Sequence, residues 1–543
     1  MTGKPPVTTT VTAPSRRVAD LNLGFSLSVT VLLAAAIRFV PLAASPYPLN
    51  DGGLFAHMAT DLTNNGFLLP ATTSYNGESI PFAYPPLGIY LTALASLIFG
   101  ISPASLLRWL PALISTISVL AMYAMAAELL RSRWRGLVAA VAFALIPRSY
   151  EWLIVGGGIT RSLGLLLALV ALQQGTRMLR AHEWRNVAAT GMLGGLTALS
   201  HPQAAMFLAF SVLTLWAFHF RRGRALPAAI QLAAAGLLGL AVASPWLVAV
   251  VTAHGLTPIL SAGRTALDPS VGLGQLLALS FVDTPVLDLI TALGVLGIVV
   301  RVARGQWMIP VWLLLTMVLD PRAGPTFATV PLALSVVPII GELLQRMVPM
   351  QGVGATLDSE PMPRLLRSHR AVAIVVTLML FVALRTASRG AADLNGPLHG
   401  LGDGHVAAME WVRENSDRSA QFAIISGRTW ENDYLSEWFP VLAGRTSLAT
   451  VQGAEWTGIQ AFLDRLAMHR QLQACAVRTA TCVDDWIAGW ATAPVYILVP
   501  KGRLYGPSSP LDCCPALRET LSASDRYRLV YDGPGASIFA PAT

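Results

Sequence analysis

A carboxylate followed at once by two glycines, Asp51-Gly52-Gly53, stands a few residues after the first long apolar run of this sequence. The stretch around it reads Tyr47-Pro48-Leu49-Asn50-Asp51-Gly52-Gly53-Leu54-Phe55-Ala56-His57-Met58-Ala59-Thr60-Asp61. Leu54, Phe55, Met58 and Leu62 share one helical face, and His57 and Asp61 lie one turn apart on another. That spacing predicts a helix lying in a membrane interface. Asp51 or Asn50 can cap its start. A carboxylate just beyond a membrane crossing is also placed to meet a lipid head group.

A second acid, Glu151, sits in Pro147-Arg148-Ser149-Tyr150-Glu151-Trp152, ahead of Gly156-Gly157-Gly158-Ile159-Thr160-Arg161. Three glycines admit a ligand close to the backbone or let helices pack tightly. Arg148 and Arg161 present planar forks of donors that suit a phosphate, or snorkel to head groups. His201-Pro202-Gln203 interrupts an apolar stretch, and an ionisable residue at that depth faces a cavity or a partner. It can ligate a metal, bind phosphate or bond a neighbouring helix. Asp320-Pro321-Arg322 ends a short run and forms either a local ion pair or part of a substrate site. Arg264 and Asp268 fall on a long loop, where exposed charge needs no explanation.

Nearer the C-terminus, Trp430-Glu431-Asn432-Asp433-Tyr434, Glu437-Trp438-Phe439-Pro440, Gly444-Arg445 and Gln452-Gly453-Ala454-Glu455-Trp456 concentrate aromatics with acids. Aromatic faces beside carboxylates suit sugars, and equally suit an α/β core packed on a membrane part. No Gly-rich phosphate loop and no zinc-ligand spacing is present, which disfavours a nucleotide-hydrolysing transporter.

The elements that must position these residues are mostly membrane helices. The chain has 543 residues, is 54% hydrophobic and 13% charged, and sustains apolar runs that soluble domains do not. They fall near residues 24–43, 86–100, 105–130, 136–153, 161–179, 186–200, 203–220, 228–250, 284–302, 307–320, 326–345 and 371–387. The net charge of +8 comes almost wholly from arginines clustered between runs, a topology signal rather than a nucleic-acid surface.

If every run crossed from a cytoplasmic N-terminus, Arg131/Arg133/Arg135, Arg177/Arg180/Arg185 and Arg221/Arg222/Arg224 would all face out, against the positive-inside rule. The run 86–100 begins at Pro85-Pro86 and is shorter than the roughly 20 residues a span needs. Letting it dip and return moves every cluster inside, with Arg16/Arg17, Arg301/Arg304 and Arg364/Arg367/Arg370. About 11 crossings follow. Residues 44–104 and everything after about Thr386 then lie outside.

The expected division is a disordered cytoplasmic tail over 1–22, a polytopic transmembrane domain over 23–387 with a long first outer loop at 44–104, and an extracytoplasmic α/β domain over 388–543. In that last part, runs at 421–425, 495–499, 527–531 and 536–540 predict strands, with Asp532-Gly533-Pro534-Gly535 as a hairpin turn. Segments 407–414 and 458–473 predict helices. All four cysteines, Cys475, Cys482, Cys513 and Cys514, lie there, which implies an oxidising compartment and at most two disulfides. Direct pairing of Cys513 with Cys514 is the arrangement least expected.

The order of a first crossing, Asp51 on a juxtamembrane helix, a long outer loop, Phe82-Ala83-Tyr84-Pro85-Pro86-Leu87-Gly88-Ile89-Tyr90 and then Arg108-Trp109-Leu110-Pro111-Ala112-Leu113 resembles the GT-C class of membrane glycosyltransferases. That class includes oligosaccharyltransferases, protein mannosyltransferases and aminoarabinose transferases. The resemblance implies an inverting enzyme that moves a sugar from a polyprenyl-phosphate-linked donor to a glycan, lipid or protein acceptor at the extracytoplasmic face of the plasma membrane. It implies Asp51 as catalytic base or metal ligand, Glu151 as second carboxylate, and Arg148, Arg161, His201, Arg322 and Tyr84 as substrate-binding residues. A divalent metal ion, held if at all by Asp51 and Glu151, is the one cofactor considered, since Asp51-Gly52-Gly53 lacks the paired acids common in the class. Membrane lipids are expected partners and nucleic acid is not. Two other readings remain, a transporter or flippase of a lipid-linked envelope precursor and a silent scaffold presenting the tail.

Overall fold

The structure, a computed structural model, describes residues 16–219, 225–264, 269–281, 287–347, 377, 381–382, 384–385, 397–502 and 513–542. The expected run 371–387 falls largely outside these residues. So do Arg221/Arg222/Arg224, Arg364/Arg367/Arg370 and Asp268.

Helices dominate the first 347 residues: α1 (Arg16–Ala43), α2 (Gly53–Asn64), α3 (Leu87–Phe99), α4 (Pro103–Leu129), α5 (Arg133–Leu145), α6 (Gly158–Ala181), α7 (Trp184–Ser200), α8 (Pro202–His219), α9 (Ala225–His254), α10 (Thr257–Arg264), α11 (Pro269–Leu277), α12 (Leu289–Ala303), α13 (Met308–Leu319), α14 (Gly324–Phe327) and α15 (Thr329–Met347). In hydrocarbon a chain must satisfy its own backbone, and the helix does so within one segment. Among the described residues, five helices are long and apolar enough to cross a membrane: 22–43, 103–129, 158–181, 226–254 and 324–342. Shorter apolar helices accompany them. The 13 residues of α3 cover only about 20 Å, less than a hydrocarbon core of about 30 Å, as the short run after Pro85-Pro86 led one to expect.

One polar residue ties the helices together. Arg38 of α1 is fully buried and donates to Ser115 Oγ of α4 at 2.9 Å and to the carbonyls of Ala34 and Ala144. A guanidinium inside a membrane bundle is tolerated only with partners of this kind.

The C-terminal domain holds α16 (Asp403–Asn415), α17 (Tyr434–Ala443), α18 (Ile459–Gln473), α19 (Ala480–Trp490) and α20 (Pro515–Ser522). A short pair, β1 (Thr72–Thr73) with β2 (Ile80–Pro81), lies in the first loop. The domain's sheet contains β3 (Gln421–Ile424), β4 (Thr446–Ser447), β5 (Val495–Pro500), β6 (Tyr527–Asp532) and β7 (Ala536–Pro541), in the order β4-β3-β5-β7-β6. β3 runs parallel to β4 and β5, while β7 is antiparallel to β5 and β6. Four strands, β3, β5, β6 and β7, fall where short apolar runs predict them, and the Asp532–Gly535 turn closes the last hairpin.

Two expectations are corrected. The apolar face of α2 does not lie in a membrane interface. Leu54, Phe55, Met58 and Leu62 are buried in one core with Phe422, Trp438 and Phe439 of the C-terminal domain, so a protein surface takes the place assigned to lipid. The cysteines pair as Cys475–Cys482 and as Cys513–Cys514. Cys514 adopts a φ of 62° ahead of Pro515, a turn that brings the two adjacent side chains together.

Candidate active site

The first loop and the C-terminal domain meet around Asp51. Asn50 has a φ of 47° and Gly52 a φ of 124°, left-handed values that asparagine and glycine adopt most readily. Segment 49–53 is held from two sides. From the C-terminal domain, Trp438 Nε1 donates to the Asn50 carbonyl at 2.9 Å, and the Leu49 backbone bridges Gly400. The Asn50 side chain donates to the Glu431 carbonyl at 3.0 Å. From the membrane part, Gly156 N donates to the Leu49 carbonyl at 2.9 Å and Gly157 N to Asp51 Oδ1 at 2.8 Å, while Arg161 pairs with Asp51 Oδ2.

The glycines are explained by this contact. A Cβ on Gly156 would lie 2.0 Å from the Asp51 carbonyl oxygen, and one on Gly157 would lie 2.6 Å from Asp51 Oδ2. The run beside α6 therefore admits the Asp51 loop itself, where the sequence left a ligand and a packed helix both open.

Asp51 does not cap α2. The helix begins at Gly53 after Gly52, with no side-chain cap of its own. Its N-terminus is instead served from the other domain: Glu437 of α17 accepts from Gly52 N at 2.7 Å and also from the Leu54 N–H. Glu437 is only 2% exposed. Burial, and then the neighbouring Asp51 charge, push its acid up to about 8, against the backbone donors and Arg161, which pull it down. Asp51 and Glu437 thus form two carboxyl groups of opposite character, one paired with a cation and one holding its proton at neutral pH.

Both line a cavity of about 1180 Å³ between the membrane helices and the C-terminal domain. Its polar end collects Asp51, Tyr84, Arg148, Trp152, Arg161, His201, Gln203, Asp320 and Arg322 from the membrane part. Trp430, Glu431, Asn432, Glu437, Gln452, Glu455 and Trp456 come from the other side. Arg148 and Arg161 each stand over the Trp152 ring, at 5.8 and 5.7 Å, and Arg322 stands 5.4 Å from the centre of Trp430. Tyr84 Oη lies 3.2 Å from Thr160 Oγ1, and its ring meets Phe55 and Trp456 edge-on. Gln203 Nε2 donates to Asp320 Oδ1 at 2.8 Å. Burial raises the Glu455 acid, with Arg322 opposing. The buried Nδ1 of His201 and Nε1 of Trp456 have no protein partner among the described residues. Away from this end the walls become apolar, with Ala198 of α7, Met206 and Val212 of α8, and Gly236, Leu240 and Ala243 of α9.

Residues 83–248 match the family of dolichyl-phosphate-mannose-protein mannosyltransferases, less than half of the chain. No curated protein sequence matches. Among solved structures, the oligosaccharyltransferase AglB of Archaeoglobus fulgidus, in complex with an inhibitory peptide and a dolichol-phosphate, aligns with a TM-score of 0.57. Identity is 13%, over 88% of this chain and 70% of that one. The apo form of the Archaeoglobus fulgidus oligosaccharyltransferase aligns at 0.53 with 14% identity, over 88% and 69%. The arabinofuranosyltransferase AftD from Mycobacteria aligns at 0.51 with 16% identity, over 98% of this chain and 40% of that one. The chain has the GT-C glycosyltransferase fold.

On this GT-C scaffold, most of the residues singled out in the sequence come together. Asp51, Tyr84, Arg148, Arg161, His201 and Arg322 line the one cavity, and Glu151 does not. The Glu151 side chain is buried beside Tyr150, while Arg148 and Trp152 on either side of it line the cavity. Arg264 ends α10 exposed and lines nothing there. The acid that stands beside Asp51 in the cavity is Glu437. A single acid in a ten-residue helix otherwise rich in apolar side chains, Tyr434-Leu435-Ser436-Glu437-Trp438-Phe439, was the available signal, since a buried acid needs a reason to be there.

The donor set does not fit a resident divalent ion. No group of three or more His, Cys, Asp or Glu able to hold one occurs among the described residues. The Asp51 oxygens are engaged by Gly157 N–H and Arg161, and the pair expected as ligands, Asp51 with Glu151, is not assembled.

Proposed function

We propose that the chain transfers a sugar from a polyprenyl-phosphate-linked donor to an acceptor hydroxyl at the extracytoplasmic face of the membrane. The observation that carries this is the composition of the cavity, in which a cationic end bearing Asp51 opens into an apolar trough between α7, α8 and α9. A lipid-linked phosphate has the same layout, with an isoprenoid tail for the trough, a phosphate for the arginines and a sugar beyond. A protein of the same fold, AglB, is bound to a dolichol-phosphate.

In the proposed reaction, Arg148, Arg161 and Arg322 take the phosphate, with His201 Nδ1 as a further contact. The phosphate then shares Arg161 and releases the Asp51 carboxylate from its ion pair. Asp51 accepts the proton of the acceptor hydroxyl as that oxygen attacks the anomeric carbon. The bond from that carbon to the phosphate oxygen breaks, and the polyprenyl phosphate leaves with its charge balanced by the guanidinium groups. A single displacement of this kind inverts the anomeric centre. Trp430 and Trp456, with Glu431, Asn432, Gln452 and Glu455, are disposed to receive sugar faces and hydroxyls.

The orientation proposed for the chain has support in the helix ends. Arg177 and Arg180 at the end of α6 meet Glu128 at the end of α4, and Arg301 and Arg304 end α12. The cavity lies at the opposite ends of α6 and α7. The positive-inside rule then puts the arginines, with the N-terminus, in the cytoplasm and the cavity outside.

The test supplies membranes containing the protein with labelled polyprenyl-phosphate sugars and follows label into lipid, glycan and protein. Label transfer that requires the protein is expected. Label that stays on the polyprenyl phosphate with every donor, while that lipid is moved across the membrane, would replace the transferase with a flippase.

A further inference from the structure

Glu437 reaches the site from the far end of the sequence, and its contacts are unusual for a buried acid. It lies on α17, yet its carboxyl accepts the N–H groups of Gly52 and Leu54 at the start of α2. The opening N–H groups of a helix have no partner within it, and they attract an acceptor oxygen. The backbone beneath is just as close: a Cβ on Gly53 would lie 2.4 Å from the Glu437 carbonyl oxygen, and that oxygen also accepts from Tyr75 Oη at 2.6 Å. Gly52 directly follows Asp51. Whatever holds Gly52 sets the direction of the Asp51 side chain toward Arg161.

We propose that Glu437 is a positioning residue of the transfer reaction, which caps α2 from the C-terminal domain and fixes Asp51 against Arg161. The inference rests on the transferase reading given above. It makes the docked C-terminal domain part of the active site and not an appendage to it.

The charge matters because the donor is an anion. With Glu437 protonated, Arg148, Arg161 and Arg322 face one carboxylate of the pair. As pH rises through about 8, Glu437 ionises beside Asp51, and a second negative charge opposes the incoming phosphate. Among the groups packed against it, Asp51 and Arg161 act directly. Tyr75 bonds its carbonyl, while His57 and Asp61 of α2 are engaged with Ser74 and Thr73. On α16, His405 lies near Tyr434, and Asp403, Glu410, Arg413 and Glu414 are exposed.

The experiment compares wild type, Glu437→Gln and Glu437→Ala in membranes, with a labelled polyprenyl-phosphate sugar as probe between pH 6.5 and 9.5. In the wild type, KM for the donor should rise above pH 8 by about tenfold per unit, since only the protonated fraction binds. Glu437→Gln keeps an acceptor for Gly52 N–H and cannot ionise, so it should retain kcat within about threefold near pH 7 and show a flat donor KM. Glu437→Ala should lose kcat by about 100-fold. In hydrogen exchange of the intact protein, it should also speed the amides of Gly52 to Ala56. A Glu437→Gln profile that rises with pH as the wild type does would overturn the charge role. Unchanged exchange in Glu437→Ala would overturn the positioning role, whether or not any donor is turned over. Absence of transfer in the wild type with altered exchange in Glu437→Ala would instead remove the transferase reading.

Discussion

Asp51 is held by groups that leave it little freedom: one oxygen on a backbone N–H, the other on a guanidinium. Such a carboxylate is fixed in direction, which is what a base needs before its substrate arrives. Asp51→Asn keeps the Oδ1 acceptor for Gly157 N–H and removes the charge. Transfer should fall by about 10²- to 10⁴-fold, while thermal unfolding stays near wild type. A loss of only a few-fold would leave Asp51 as a structural clasp for the loop. Asp51 was legible as a candidate because a carboxylate just beyond a membrane crossing is placed to meet a lipid head group, and because the order of parts around it resembles the GT-C class. Glu151 entered as the second carboxylate through the same resemblance. Its absence from the cavity depends on which side of the segment 147–153 faces inward, and no pattern of residue types records that.

The elements around the site work by close approach. Gly156 and Gly157 open the start of α6 to the Asp51 loop, and neither position leaves room for a methyl group. Gly157→Ala should therefore push the Asp51 carboxylate aside and cost transfer about 10², with insertion and expression retained. Full activity in that variant would mean that the loop relaxes and its registration is unimportant. At the trough, a Cβ on Gly236 of α9 meets nothing within 4 Å, so a larger side chain there enters the cavity without breaking helix packing. Gly236→Leu should lower kcat/KM about tenfold for a full-length polyprenyl donor and leave a short-chain analogue unaffected. Equal effects on the two would argue that the tail lies elsewhere. Sequence periodicity located these helices well, because an apolar run of membrane length has few alternatives. For α2 the same periodicity marked an apolar face without saying what covers it, and lipid was the wrong cover.

At the scale of the whole molecule, the basic helix ends and the cavity occupy opposite ends of the bundle, which makes the orientation testable. Ser74→Cys in the first loop should label from outside, and Ser132→Cys, at the start of α5 beside the basic cluster, only after the membrane is opened. Labelling of Ser132→Cys from outside would invert the orientation and with it the compartment of the reaction. The shared core of α2 and the C-terminal domain means that the first loop and the tail fold against one another. A chain shortened before the domain would therefore expose the apolar face of α2.

What residue order alone determined is what depends on short-range chemistry: membrane helices from long runs of apolar side chains, strands and a hairpin from short apolar runs and turn residues, and a set of charged residues at or beside the membrane face. Tertiary structure decided the partners. Glu437 lies 386 positions beyond Asp51 in number, and its role arises because α17 happens to deliver a carboxyl to the unpaired N–H groups of α2. Likewise, whether three glycines serve a ligand, a helix or a neighbouring loop depends on what stands opposite them. Hydrogen bonding and burial act over a few ångströms in space, whatever the separation along the chain, so the site becomes visible only once the chain is folded.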